Sequence, residues 1–246
     1  NKGTVNDEVT VSSGILKIES GGVLRIQQGI LQLAGTSTNV LDITGAQLRI
    51  DNGGTFRTGG KTITTNAGTT YQLNDGSVFE YNGTGGAETA LSIDANDSPS
   101  LNSGNSYAIL RVSNTINIPT GDVDVRQALQ FNTSVNATVN TGGTNGLLRL
   151  GLGATITGDN STTTRFVNGP LRRFFNASNL TGKFSVGKVS PAVGANDITF
   201  EFQSLSSALA FTIEQFNQAP TGTVTGGGLP TNARYWRILS PSRSLS

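Results

Sequence analysis

The chain has 246 residues, 17 Lys and Arg against 16 Asp and Glu, a formal net charge of +1, and no Cys, Met or His. This composition excludes disulfides, thiol nucleophiles, zinc–thiolate sites and any His-based triad, and the near-zero charge gives no electrostatic reason for a nucleic-acid or anionic-membrane partner. With 32 Gly and only 35% apolar and 13% charged residues, but with regular apolar alternation, it describes a turn-rich all-β protein rather than a disordered one.

From the N-terminus, one phrase returns: GILKI at Gly14, GVLRI at Gly22 and GILQL at Gly29. Variants follow as AQLRI from Ala46, GTFRT from Gly54, TYQLN from Thr70 and GSVFEY from Gly76. Each is a short apolar–polar–apolar strand bounded by Gly, Asn or Asp. Alternation places Leu16, Ile18, Leu24, Ile26, Leu31, Leu33, Leu48 and Ile50 on an inward face. Lys17, Arg25, Gln32, Arg49 and Glu80 then point outward. Three such steps make one coil of roughly 22 to 24 residues, the spacing of a β-solenoid rather than of paired hairpins.

From Ala87 to Asn160 the pattern loosens but persists, through "YAILRVSNTINI" (Tyr107 to Ile118), "GDVDVRQALQF" (Gly121 to Phe131) and "GLLRLGLGATITG" (Gly146 to Gly158). Leu148-Arg149-Leu150 repeats Leu24-Arg25-Ile26. A longer excursion is expected over Ser92 to Ser106. Near Thr164 the composition shifts to Phe and Arg, and Pro170 interrupts the repeat. Longer alternating strands follow at Asp197 to Ser204, Leu209 to Phe216 and Ala233 to Leu239, separated by a Gly-rich loop from Asn217 to Asn232. These predict an antiparallel sandwich with Phe200, Phe202, Phe211, Ile213 and Trp236 in its core. The expected organisation is a right-handed parallel β-solenoid over 1–163 and an antiparallel β-sandwich over 164–246, the chain being a piece of a longer protein because it starts with Asn.

Val167-Asn168-Gly169-Pro170-Leu171-Arg172-Arg173, then Phe184-Ser185-Val186-Gly187-Lys188 and later Tyr235-Trp236-Arg237-Ile238, resemble a module of large secreted surface proteins of the Bacteroidota. Those proteins are exported by the type 9 secretion system. Ser185 stands where that family usually has Pro. The resemblance implies a cell-surface or secreted structural or adhesive protein, and it carries over no catalytic residue.

Five oxygen-bearing residues invite a chemical reading. Asp122 and Asp124 lie at i and i+2, both opposite Val123 and Val125. Paired outward carboxylates suit a cation or work on a glycan; they are also what an ordinary solvated strand carries. Asp94, Asn96 and Asp97 form a calcium-like loop without an EF-hand's length or terminal Glu, and Asx-rich turns of this kind commonly satisfy their own backbone. Lys17, Arg25, Arg49 and Arg57 could line up as a basic stripe for acidic glycans or a neighbouring subunit, but Gln32, Gln72 and Glu80 interrupt it, so a mixed solvated face is the expected reading. Arg172-Arg173-Phe174-Phe175 reads as packing. The expected protein is a non-enzymatic, extracellular stalk or fibre segment. It would need no cofactor and would meet surface glycans, cell-surface proteins or copies of itself. The alternative is a β-helix that binds or cleaves polysaccharide.

Overall fold

A computed structural model describes residues 8–34, 39–159, 164–189, 194–216 and 235–239. The expected Gly-rich loop 217–232 lies outside them. The described residues form strands, turns and irregular segments with no helix, and so none long and apolar enough to cross a membrane. Parallel strands stack into a β-solenoid of about seven turns.

Each full turn contributes three strands. The first complete turn runs through Leu16–Lys17, Val23–Ile26 and Gly29–Leu33, the second through Asn39–Asp42, Gln47–Ile50 and Gly54–Arg57. The recurring phrase is thus one side of a coil, and like stacks on like. Leu24 lies in register with Leu48, and Leu48 with Tyr71; Ile26 pairs with Ile50, and Ile50 with Leu73. On a second side one ladder passes through Val9, Leu31, Phe56, Phe79, Leu110, Leu129 and Ile156. Each coil alone encloses too little apolar surface to be stable, and stacking makes the core continuous. The turns between sides rely on left-handed glycines; at Gly59, φ is +59° and a Cβ would lie 1.9 Å from the Leu33 carbonyl oxygen.

The aromatic rungs concentrate in mid-solenoid. Phe79 packs between Phe56 at 4.9 Å and Tyr107 at 5.2 Å. The Tyr81 and Tyr107 hydroxyls are 3.1 Å apart. The Leu91 amide donates to Tyr81, while Tyr107 donates to the Leu91 carbonyl. This closed ring satisfies two buried hydroxyls and anchors the start of the excursion.

In the fourth turn, Glu88–Thr89 and Tyr107–Val112 are strands, but the side between them is the excursion. It lies where a strand would, since it accepts ladder bonds from both neighbouring turns. The Leu73 amide donates to Ser103 O, and the Asp124 amide to Ile93 O. Above it, Val123–Phe131 turns a corner: Val123 to Val125 pair with Leu148–Leu150, and Ala128 to Gln130 with Thr155–Thr157.

The composition shift at 164 is not where the parallel ladder ends. Arg165–Asn168 stacks in parallel on Ala137–Asn140, and Leu171–Phe175 on Leu148–Leu150. Pro170 falls between those two strands, where no ladder donor is needed. Asn168 also tops an asparagine ladder, donating from its side chain to Asn140 at 2.9 Å, as Asn140 does to Asn117 at 2.8 Å.

Pairing turns antiparallel only beyond these strands. Gly194–Glu201 pairs with Thr181–Lys188, and Leu209–Phe216 with Leu171–Phe175, so both prolong solenoid sheets. Phe175, Phe184, Phe200, Phe202 and Phe211 meet between them, with Phe200 and Phe211 stacked at 5.5 Å. Ile213 is fully buried as expected, but Trp236 is 38% exposed and is not core. It sits on Tyr235–Leu239, whose one described sheet partner is Leu209–Phe216.

Candidate functional site

The five candidate oxygen-bearing residues do not form two separate sites. Asp94, Asp97, Asp122 and Asp124 converge on one guanidinium, that of Arg149. Asp124 and Arg149 are register partners on adjacent turns, followed by Arg172. Their side chains point away from the apolar core, as alternation requires, yet Asp124 is 0% and Arg149 3% exposed. Asp124 was expected at an open face; the excursion covers that face and buries it.

The geometry is dense. Arg149 donates from Nε to Asp124 Oδ1 at 3.0 Å and from Nη2 to Oδ2 at 2.8 Å, a two-pronged pair. The Ala95 amide adds a third bond to Asp124 at 2.7 Å. Nη2 also meets Asp94, and Nη1 reaches Asp122 at 3.3 Å. Asp122 takes a left-handed φ of +57° and accepts the Leu147 amide. Asp94 accepts the Asn96 amide in an Asx turn, and Asn96 and Asp97 are both left-handed, at 51° and 62°. Asp97 divides between Arg149 at 3.8 Å and Arg172 at 3.0 Å. Asn96 therefore shapes the turn, while the four aspartates hold arginine.

Burial pushes the Asp124 carboxyl up, outweighing the Arg149 and Ala95 hydrogen bonds that lower it. Burial alone would lower Arg149, but Asp124, with Asp94 and Asp122, holds it above its ordinary value. Chemically, a guanidinium occupies the centre of the carboxylate cluster, and the assembly straps the excursion to the fifth, sixth and seventh turns. No group of three or more acidic residues among those described is arranged to hold a metal ion.

The sequence reading missed Arg149 and Arg172 as partners. The echo of Leu24-Arg25-Ile26 in Leu148-Arg149-Leu150 was the available signal, since it marks Arg149 as non-core.

The basic residues form no stripe. Arg25 and Arg49 share one side of the coil, but Lys17 and Arg57 belong to the other two sheets. The solenoid turns a corner between the phrases, so residues adjacent in the repeat face different directions. Each cation also has a local anion: Lys17 has Glu19, Arg25 and Arg49 share Asp51, and Arg57 meets Glu80. Arg172-Arg173-Phe174-Phe175 packs, with Phe175 in the aromatic cluster and Arg172 over the Phe174 ring. Arg173 goes further than expected. It is 4% exposed, donates to the Ala154 and Lys183 carbonyls, and is brought down to about 10 by burial.

A second polar arrangement lies on the side built from Gly54–Arg57, Val78–Tyr81 and Tyr107–Val112. Arg57, Glu80, Arg111 and Gln130 are consecutive rungs. Glu80 accepts from Arg57 at 3.0 Å and from the Ser113 hydroxyl at 2.6 Å, with Arg111 at 3.6 Å. A shallow cleft of about 480 Å³ opens over these rungs and reaches Thr133 and Thr157.

The sequence matches no protein-family model, and no curated protein and no solved structure is significantly similar to it. Function therefore rests on the chain's own geometry.

Proposed function

We propose that this chain is a non-enzymatic, extracellular structural or adhesive element, a rigid stalk or fibre segment whose outer face serves partners. The observation that carries this reading is the unbroken in-register ladder from Val9 through Phe79 to Ile156. Stacked parallel strands place backbone hydrogen bonds along the axis and make an elongated core that resists bending. Such a core constrains only the inward residues and leaves the outer ones free to vary. Placement at a bacterial surface by type 9 secretion is supported by the V-N-G-P-L-R and F-S-V-G-K segments alone.

In this reading the solenoid is right-handed, the hand that parallel crossovers favour. The antiparallel strands after Thr181 act as a sandwich-like cap. They cover one end of the ladder with the Phe175–Phe211 cluster, and capping an open strand edge suppresses indiscriminate pairing.

Two measurements test it together. Single-molecule pulling should show a stiff segment that unfolds in steps of about one coil. Incubation with a panel of polysaccharides should release no reducing sugar. Product release from any polymer overturns the non-enzymatic reading and favours the polysaccharide-cleaving alternative.

A further inference from the structure

We propose that the cleft over Arg57, Glu80, Arg111 and Gln130 is a binding site for an acidic oligosaccharide, lying along the solenoid axis. The inference rests on the adhesive reading above and names the ligand class of its outer face.

Three features argue for it. The first is charge. Two guanidiniums, Arg57 and Arg111, line the cleft with one carboxylate, Glu80, and a second carboxylate, Glu8, lies 3.6 Å from Arg57. A third guanidinium, Arg165, is bound to its rim, donating to the Gly158 and Thr133 carbonyls at 2.6 and 3.0 Å. The described charges at the cleft are thus net positive, in a chain that is nearly neutral.

The second feature is unused hydrogen-bonding capacity held in fixed positions. Glu80 is 5% exposed and orients both arginines. Arg111 is further fixed by Gln130 Oε1, at 3.2 Å from Nε and 3.1 Å from Nη2. These bonds leave N–H donors on both guanidiniums, whose planar forks match carboxylate or sulfate oxygens. The exposed Thr133 and Thr157 hydroxyls offer the mixed donors and acceptors that sugar hydroxyls require.

The third feature is spacing. Arg57 and Arg111 lie two rungs apart, with Glu80 between them, which separates their anchor points by about 9.6 Å. One strand spacing is comparable to the advance of one pyranose residue in an extended chain. Acidic groups on alternate sugars would therefore fall at the two arginines in turn. A single small anion would use neither this repeat nor the length of the cleft.

The test is calorimetric titration of the full chain with a tetragalacturonate, a sulfated tetrasaccharide and neutral cellotetraose. Saturable binding of either acidic probe, weakened at least tenfold by raising salt from 50 to 500 mM, supports the site; which probe binds distinguishes carboxylate from sulfate. Equal binding of the neutral probe, or no binding by either acidic one, overturns it. Arg111→Gln should weaken binding at least tenfold. Because that change also touches the buried Glu80, Thr157→Glu serves as the second variant. It adds a negative charge at an exposed rim position, leaves every arginine pair intact, and should weaken binding similarly. Unchanged affinity in T157E places the ligand elsewhere and overturns the proposal. None of these results bears on product release or stepwise unfolding, so this site can fail while the stalk reading stands.

Discussion

Asp124 and Arg149 stand one above the other on adjacent turns, joined by bonds of 3.0 and 2.8 Å, and both are enclosed by the excursion that precedes them in the chain. The pair explains how a solenoid tolerates a missing strand. The excursion supplies ladder carbonyls from Ile93 and Ser103, and the aspartates at 94 and 97 hold it down through arginines of later turns.

Removing one partner should therefore be costly. Arg149→Met leaves Asp124 buried without its counter-charge, and breaking a buried pair costs about 3–5 kcal/mol. Asp124→Leu combined with Arg149→Met should recover most of that loss. Urea unfolding followed by circular dichroism measures both. A loss below about 1 kcal/mol in the single variant would mean that water already reaches the pair.

Acid should act on two aspartates in opposite directions. Burial alone would raise Asp51, but Arg49, Arg25 and Asn74 hold its carboxyl below the ordinary 3.8. Its unfolded form binds protons more readily, so its contribution is present above that value and is lost as pH falls through the lower folded value. Asp124 is raised by burial. In the window above 3.8 its folded form holds the extra proton, so stability from this group declines as pH rises through that window. Urea midpoints from pH 7 to pH 3 should show Asp51→Asn losing its deficit toward acid. Asp124→Asn should gain on the wild type as pH rises above 3.8.

The ladder itself predicts a sharp contrast between neighbours. Leu48 is fully buried between Leu24 and Tyr71, and Leu48→Ala should cost about 2–5 kcal/mol. Gln72 points outward one turn above Arg49 on the same side, and Gln72→Ala should stay within about 0.5 kcal/mol. Comparable losses at both positions would contradict the inward and outward assignment.

This contrast is also where the sequence was most readable. A rung repeats every coil, so Leu24 and Leu48 announce their own stacking through period and identity. For the Arg149 cluster the echo marks Arg149 as non-core but says nothing of what it meets. Asp94 and Arg149 are 55 residues apart, and their meeting depends on an irregular loop lying over one particular side. Periodicity placed Asp124 correctly away from Val123 and Val125 but could not reveal what covers it. The outward basic residues divide among sides for a related reason: the corners between Leu16–Lys17, Val23–Ile26 and Gly29–Leu33, rather than alternation, decide which of them share a side. Trp236 looks like core because it alternates correctly, but its strand has one partner among the described residues.

Backbone strain gives a local test of the corners. Gly59→Ala must place a Cβ against the Leu33 carbonyl at a left-handed φ, and should destabilise by about 1–3 kcal/mol. Gly85→Ala meets nothing within 4 Å at a φ open to any residue, and should be close to neutral. Thermal melts of the two variants settle the comparison, and equal melting temperatures would show that the corner yields without penalty.

Trp236 offers a probe of how unfolding spreads. It is the single tryptophan, 38% exposed, and pairs with Gln215 on the last described strand. Its emission should be close to that of solvated indole and readily quenched by acrylamide. In a one-dimensional stack an end strand has fewer neighbours than the middle turns, so it should detach first. The fluorescence midpoint in urea should then precede the circular dichroism midpoint. Leu48→Ala, which sits in the second turn, should lower the dichroism midpoint while leaving the Trp236 transition in place. Coincident transitions that move together in L48A would mean that the terminal strands and the early coils melt as one cooperative unit, and that the antiparallel end is energetically continuous with the solenoid.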